Sequence, residues 1–268
     1  MSLIGDIMKT RLIIVRHAEA EGNKIRRFHG WTDSELTDKG HLQAQRVAER
    51  LKSIDIDVLY SSSLMRTLQT AQYISIAKGL PIIRTDKLKE INGGDWEGRT
   101  WEELQKQWPQ AYDTWENKPH MHQMPNGESM GGFQRRLVEE VKCIISKNVG
   151  RNICIVTHGT AIRALICYFR SCSLEEIIDI AWCDNTAITI MDYEDGIFTT
   201  VTEGDSAHLG SDLGTIQNQD WWEDYMRKVK EREGKRTAKR KTVKRENARR
   251  TAKRKTVKRE NARRTAER

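Results

Sequence analysis

The sequence predicts an α/β fold with a mostly parallel central sheet and helices on both faces. Two apolar runs carry this prediction, Leu12 to Val15 and Asn152 to Thr157 (NICIVT), because continuous runs of this length are typical of strands buried on both faces. A helical pattern follows each strand of the first half. The order strand, helix, strand, helix favours a parallel sheet covered on both sides.

The first half of the chain supplies the next predicted elements. Lys24 to Thr37 is predicted as a loop, and Gly40 to Ser53 as a helix because its apolar residues recur at helical spacing. Asp57 to Ser61 is predicted as a short strand, followed by a helix over Leu64 to Ala77. Pro81 to Ile83 is predicted as the third strand.

A long insertion separates the third predicted strand from the next predicted core helix. It begins within Leu88 to Gly98, continues as a predicted helix over Thr100 to Trp115 and ends in a loop over Asn117 to Met130. Excursions of this length over a sheet commonly act as lids. We expect a helical lid insertion at about 91–130, with a simple packing insertion as the alternative, before a core helix over Phe133 to Lys147.

The last predicted core elements follow Thr157. Ala161 to Phe169 is predicted as a helix. In Asn185 to Tyr193 and Ile197 to Val201 apolar and polar residues alternate, which predicts an antiparallel hairpin at the sheet edge. Ala207 to Leu209 is expected to close the globular region. The predicted domain therefore spans 1–210, and 211–234 is predicted as a linker in which a helix can form.

The positive charge of the chain is concentrated at its C-terminal end. Residues 227–268 hold 21 Lys and Arg against 5 Asp and Glu, whereas residues 1–226 hold 25 against 33. Arg236 to Arg249 recurs unchanged as Arg250 to Arg263, within a repeat tail at 235–268. The tail contains almost no apolar residues, so we expect disorder or weak helix.

Two interpretations of the basic tail stay open. Its Lys and Arg side chains could displace counterions from RNA or DNA and give weak nucleic-acid contact, although the tail at 235–268 has no aromatic residue to stack on bases. The second interpretation is a solvated, dispensable tandem duplication. Loss of salt-dependent polynucleotide binding on truncation at Gly234 would separate them.

The remaining composition favours a soluble, cytoplasmic protein. Met1 to Thr10 lacks the pattern of a signal peptide, and no segment approaches the roughly 20 apolar residues that span a membrane. The five cysteines form no C-x-x-C pair and lie mostly in apolar runs. We expect reduced core thiols, with no disulfide framework, metal or membrane partner.

Two of the predicted strands end in histidine. The first leads into Arg16 and His17 and the later one into His158, and the carboxyl ends of parallel strands share one edge of a sheet. Arg66, at the start of a helix, and Glu90, in a loop, can join them there. A neutral imidazole can attack phosphorus, guanidinium groups bind its oxygens, and a buried carboxyl can protonate an alkoxide. The alternative for each strand end is an ordinary solvated turn.

Seven motifs, in order from about Lys9 to Gly210, resemble the histidine phosphatase superfamily, also called phosphoglycerate mutase-like. They are RHAEAEGN (Arg16 to Asn23), GW with LTDKG and QA (Gly30 to Ala44), YSSSLMRTLQTA (Tyr60 to Ala71), EINGGDWEG (Glu90 to Gly98), PNGES followed by Arg136, VTHGTAIRAL (Val156 to Leu165), and NTAIT (Asn185 to Thr189) with AHL. As a set they are highly specific.

The resemblance implies a role for individual residues. It implies His17 as the phosphorylated nucleophile and Glu90 as the proton donor, with the phosphate held by Arg16, Arg66 and His158. It also implies Asn23 near the phosphate, although Asn23 could simply cap a turn, and Gly159 as a position of close backbone approach. No metal or other cofactor is implied, because fixed cationic side chains can stabilise the charge.

The reaction implied is hydrolysis of small phosphomonoesters through a phosphohistidine. The segment after Glu90, INGGDWEG, is similar to the branch of broad-specificity phosphatases and alpha-ribazole phosphatase. A bisphosphoglycerate-dependent phosphoglycerate mutase is the alternative, and a nucleic-acid-binding protein on a phosphatase platform is another. The oligomeric state stays open, with a homodimer as one option.

Overall fold

The computed structural model describes residues 8–25, 27–216, 219, 222–232 and 234. The chain divides into two units, one ending at Trp222 and one beginning at Glu223. In the second unit the described residues are helical. The predictions made for the repeat tail at 235–268 lie outside the described residues.

The first unit is built on one six-stranded sheet within the described residues. Its strands are β1 (Thr10–Arg16), β2 (Val58–Ser62), β3 (Ile82–Thr85), β4 (Asn152–Thr157), β5 (Ile188–Glu194) and β6 (Ile197–Asp205). Across the sheet they run in the order β3-β2-β4-β1-β5-β6. The first four are parallel, whereas β5 is antiparallel to β1 and β6 to β5. The predicted sheet with its antiparallel edge is therefore confirmed.

The α-helices of this unit connect the strands and cover the sheet. They are α1 (Glu21–Lys24), α2 (Asp38–Leu51), α3 (Met65–Lys78), α4 (Trp101–Gln107), α5 (Pro109–Asn117), α6 (Met130–Lys147) and α7 (Gly159–Phe169). Thr37 Oγ1 accepts a hydrogen bond from the Gly40 amide and so begins α2 two residues before the predicted start. Among the described residues we find no helix that combines the length and the apolar character needed to cross a membrane.

Strand β1 is covered on both faces, as its apolar run predicts. Leu12 and Ile14 pack in a core cluster with residues of α6 and α7. Ile13 and Val15 point to the other face and pack with residues of α2 and α3. Full burial of an aliphatic side chain stabilises a fold by about 1.5–3 kcal/mol, so β1 is a rigid support for the residues that follow it.

The prediction of one helix over Thr100 to Trp115 is wrong. The structure has two helices, α4 and α5, which meet at Trp108, whose φ of −131° and ψ of 59° are not helical. Pro109 causes the break because it has no amide hydrogen and its ring restricts the preceding residue. It occupies instead the first position of α5, where a proline is well tolerated.

Three tryptophans of the insertion at 91–130 pack against one aromatic side chain. The ring of Phe28 meets Trp96, Trp101 and Trp115 edge-on, with ring centroids 5.7–5.9 Å apart. Trp96 is fully buried. The insertion is thereby packed against the loop that follows α1, and its aromatic residues act as core rather than as a free lining for substrate.

Residues after the predicted domain boundary at 210 also form hydrogen bonds within the first unit. The Asp184 carboxylate accepts hydrogen bonds from the amides of Thr215 and Ile216. Lys39 Nζ donates to the Gly214 carbonyl at 2.6 Å. The start of the predicted linker is therefore attached to the sheet domain.

The cysteines occupy varied surroundings. Cys154 in β4 and Cys167 in α7 are buried, as predicted for core thiols. Burial raises the pKa of Cys154 to about 12, which keeps its thiol protonated. Cys143 is exposed, so the prediction of core positions does not hold for that residue.

Candidate active site

The candidate site lies at the carboxyl ends of β1, β2 and β4. Because β1 and β4 are adjacent and pair Arg16 with Thr157, the residues that follow them, His17 and His158, are neighbours. Their ring centroids are 5.3 Å apart. The prediction that two strands would bring both imidazoles to one rim agrees with this geometry.

His17 is held as a neutral imidazole with a defined tautomer. Its Nδ1 lies 2.7 Å from the Ala18 carbonyl oxygen, which can only accept, so Nδ1 carries the hydrogen and Nε2 has the lone pair. Burial, followed by the charges of Arg66 and Arg16, lowers the pKa of His17 well below its ordinary value. A neutral ring with a free Nε2 is the form required of a nucleophile.

Two buried arginines lie beside this imidazole. Arg16 Nη1 donates to the Cys183 carbonyl at 2.6 Å. Arg66 donates from Nη1 to Thr32 O at 3.0 Å and from Nη2 to Gly30 O at 2.7 Å. Burial lowers the pKa of Arg66 to about 10, which leaves it cationic at neutral pH.

Some donors of this cluster are left for a ligand. The Nε atoms of Arg16 and Arg66 and the Nδ1 atom of His158 are buried without a hydrogen-bond partner among the described residues. A buried donor without a partner costs free energy, so these groups are available to bind an oxyanion. His158 Nδ1 is such a donor when Nε2 accepts from Ser62 Oγ. Two guanidinium groups and an imidazole are suited to a phosphate.

Gly159 lets Arg16 approach the start of α7. A β-carbon built at Gly159 would lie 3.1 Å from Trp182 Cζ3 and 3.3 Å from Arg16 Nε. Any larger residue would therefore press on the guanidinium. This geometry agrees with the close-approach position that the motif predicts, and its part in phosphate binding stays a prediction.

Glu90 supplies a buried carboxyl at the same rim. Its oxygens accept hydrogen bonds from the amides of Ile91 and Thr160, each at 2.9 Å. Burial outweighs these bonds and raises the pKa of Glu90 above its ordinary value. A carboxyl that keeps its proton at higher pH than usual is suited to act as a general acid.

His158 begins α7 and contacts the end of β2. Its Nε2 lies 2.8 Å from Ser62 Oγ. Burial, then the charges of Arg66, His17 and Arg16, lowers the pKa of His158 well below its ordinary value. His158 is therefore neutral unless a phosphate dianion offsets the arginine charges.

Asn23 closes the single turn of α1. Its Oδ1 accepts a hydrogen bond from the Ala20 amide at 3.0 Å, and its own amide donates to Ala20 O at 2.8 Å. The first contact is one half of a capping box, and the other half is missing because Ala20 has no side-chain acceptor. Asn23 therefore caps a turn, and its predicted phosphate contact stays a prediction.

Three supporting residues received no role from the sequence. Ser62 contacts His158, and Asn185 Nδ2 donates to the main-chain oxygen of His17 at 2.9 Å. Arg136 donates to the carbonyls of Lys87, Lys89 and Glu90 and pairs with Glu128, which fixes the loop bearing Glu90. All three lie in or next to the motifs named above, but the motifs alone do not show what each side chain contacts. Ser62 ends β2 beside β4, and the contacts of Asn185 and Arg136 join distant segments.

Replacing His158 by asparagine tests the charge state of the site. Below about pH 6.5 the histidine binds a proton in the unfolded chain but not in the folded one, because its pKa is lowered on folding. The free energy of unfolding therefore falls as the pH drops through this range. Each such histidine contributes a slope of about 1.4 kcal/mol per pH unit. Urea unfolding at pH 6 and pH 5 is expected to show a slope smaller by that amount in His158→Asn. Equal slopes would contradict the buried, neutral state of His158.

Comparison with known proteins places the chain in a family. Residues 12–206 match the family model of the histidine phosphatase superfamily, branch 1. The chain is 31% identical over 200 residues to phosphoserine phosphatase 1 of Hydrogenobacter thermophilus, which covers 75% of this chain and 94% of the relative. It is 35% identical over 219 residues to phosphoglycerate mutase-like protein 4 of Arabidopsis thaliana, which covers 80% of this chain and 92% of the relative.

A solved structure shows the same similarity. YhfR of Bacillus stearothermophilus superimposes with a TM-score of 0.72 at 34% identity, over 75% of this chain and 99% of that one. The family match covers most of the chain and contains the candidate site from Arg16 to Gly159. The resemblance that the motifs indicate is thus confirmed, and the chain belongs to branch 1 of the histidine phosphatase superfamily.

Proposed function

We propose that this protein hydrolyses phosphomonoesters of small metabolites in two steps, with His17 as the phosphorylated residue. Family membership and the phosphoserine phosphatase relative support phosphomonoester hydrolysis through a phosphohistidine. The observation that carries the assignment to His17 is its tautomer. Hydrogen bonding of Nδ1 to Ala18 O leaves the Nε2 lone pair available beside two buried arginines.

The first step transfers the phosphoryl group to the protein. The Nε2 lone pair of His17 forms a bond to phosphorus while the bond from phosphorus to the alcohol oxygen breaks, and Glu90 gives its proton to the departing oxygen. In the second step a water oxygen attacks phosphorus, Glu90 takes a proton from that water, and the bond from phosphorus to Nε2 breaks. The products are an alcohol and inorganic phosphate.

The arginines supply the electrostatic part of catalysis. Arg16 and Arg66 are anchored to main-chain carbonyls, so their charges are oriented before substrate binds. In phosphoryl transfer the protein acts mainly by positioning and by stabilising charge on the phosphoryl oxygens. We propose that these cations perform the task without a metal ion.

Phosphoserine is the first substrate to test, because the chain is similar to a phosphoserine phosphatase. The similarity to a phosphoglycerate mutase-like protein makes mutase activity the alternative. The full-length protein is incubated with phosphoserine, p-nitrophenyl phosphate or 3-phosphoglycerate, the last with catalytic 2,3-bisphosphoglycerate. Release of inorganic phosphate is measured beside conversion of 3- to 2-phosphoglycerate.

The expected result is phosphate release from phosphoserine or a similar alkyl phosphate that exceeds any mutase turnover. Mutase turnover above phosphate release would favour the alternative. Absence of phosphate release from every ester, including p-nitrophenyl phosphate, would contradict the proposal.

A further inference from the structure

Glu97 lies outside the reacting groups but gathers an unusual number of hydrogen bonds. Its half-buried carboxylate accepts from the amides of Gly30, Trp31 and Thr32 at 3.2, 2.7 and 2.9 Å, and also from the Thr32 hydroxyl. A further bond comes from the Gly93 amide at 2.9 Å. Five donors thus point at one carboxylate, which has about four lone-pair sites.

The loop around this carboxylate is shaped to admit it. A β-carbon built at Gly30 would lie 2.3 Å from Glu97 Oε1 and 2.2 Å from the Ile91 carbonyl oxygen. One built at Gly93 would lie 2.9 Å from the same Oε1. Glycine is therefore required at both positions for the carboxylate to reach the main-chain amides.

The opposite side of the same loop holds Arg66. The amides of residues 30–32 face Glu97, while the carbonyl oxygens of Gly30 and Thr32 accept from the two terminal nitrogens of Arg66. The guanidinium therefore rests on a segment whose position is fixed by Glu97. Burial lowers the pKa of Arg66, and the negative charge of Glu97, after those of Glu90 and Asp33, opposes that lowering.

We propose that Glu97 is a positioning residue for phosphate binding, which acts through residues 30–32 on the orientation of Arg66. This inference rests on the proposed function, because it takes Arg66 to contact the phosphoryl group. Glutamine cannot replace Glu97. Its amide group would present N–H donors to main-chain N–H donors and would supply fewer lone pairs.

The test compares Glu97→Gln with Glu103→Gln in the full-length protein. Glu103 is a matched control because its carboxylate also accepts a main-chain hydrogen bond, but from Thr100, where it caps the start of α4 instead of residues 30–32. Orthovanadate is the probe, because its five-coordinate form resembles the phosphoryl-transfer transition state. Inhibition by vanadate is measured with p-nitrophenyl phosphate, and direct binding by calorimetry.

We expect Glu97→Gln to weaken vanadate binding roughly 10- to 100-fold, the range for loss of a hydrogen bond to a charged group, with no change in Glu103→Gln. Because Glu97 acts through Arg66, Glu97→Gln should have little further effect in an Arg66→Ala background. Thr32→Val removes one of the five donors and should give a smaller loss of vanadate affinity. It replaces Glu97→Gln in the test if that variant does not fold.

Each contrary result has a separate meaning. Wild-type vanadate affinity in folded Glu97→Gln, or additive losses in the double variant, would overturn the positioning role. If the wild-type protein binds vanadate but releases no phosphate, and Glu97→Gln weakens that binding, the proposed function fails and the positioning role stands. If the wild-type protein releases phosphate but does not bind vanadate, the positioning role fails and the proposed function stands.

Discussion

Replacement of His17 by alanine is expected to lower kcat/KM for any phosphomonoester by at least about 10⁴-fold, the scale of loss on removing a catalytic nucleophile. The imidazole is fixed by the bond from Nδ1 to Ala18 O and by burial, so its Nε2 is held in position for attack. The other imidazole of the site, His158, has its Nε2 bonded to Ser62 Oγ.

The direct measurement is capture of the covalent intermediate. Wild-type protein that is quenched in base during turnover of a ³²P-labelled ester should carry the ³²P label. Acid should remove the label, because a phosphorus–nitrogen bond is hydrolysed in acid. His17→Ala should carry none. His41→Ala is the matched control, because His41 Nδ1 contacts Tyr73 Oη at 3.1 Å between α2 and α3 and is not part of the site. Label on His17→Ala, or wild-type turnover by it, would show that another residue is the nucleophile.

The sequence predicts the central part of this site because the geometry there follows from strand topology. Apolar runs before His17 and His158 identify two buried strands, and parallel strands end at one edge. A neutral His17 is expected from the sequence because only a neutral imidazole can attack phosphorus. The structure supplies the physical cause, since burial and the charges of Arg66 and Arg16 lower its pKa. The structure adds the tautomer, which depends on one main-chain oxygen.

The parts that the sequence does not predict depend on contacts between distant segments. Glu97 and residues 30–32 are separated by more than sixty positions, and no periodicity relates them. Asp184 and Thr215 are 31 positions apart and are likewise related by no periodicity, although their bond attaches the segment after 210 to the loop next to β5. By contrast, the break at Pro109 had a local signal, because proline disfavours helical backbone at the residue before it.

The pKa values of His17 and Glu90 are shifted in opposite directions. Burial among positive charges lowers the pKa of His17, whereas burial outweighs two hydrogen bonds and raises the pKa of Glu90. Pairs of titratable groups shifted in opposite directions are typical of acid–base assignments. The active form has His17 neutral and Glu90 protonated, so kcat/KM should rise with pH as His17 loses its proton and fall as Glu90 ionises.

Replacement of Glu90 by glutamine is expected to have an effect that depends on the leaving group. With phosphoserine, whose alkoxide must be protonated, the loss in kcat/KM should be roughly 10²–10⁴-fold, the usual contribution of a general acid. With p-nitrophenyl phosphate the phenolate leaves without a proton, so phosphorylation of His17 should be little changed. The variant cannot activate water for the second step, and phosphohistidine should accumulate.

Rapid mixing of Glu90→Gln with p-nitrophenyl phosphate should therefore give a burst of about one nitrophenolate per protein, followed by slow turnover. The high-pH fall of kcat/KM for phosphoserine should also disappear, because the group whose ionisation causes it is gone. Glu21→Gln, an exposed carboxylate in the first turn of α1, should match the wild-type protein in both measurements. Equal losses on the two esters without a burst would mean that Glu90 orders the site through its bonds to Ile91 and Thr160 and does not transfer the proton.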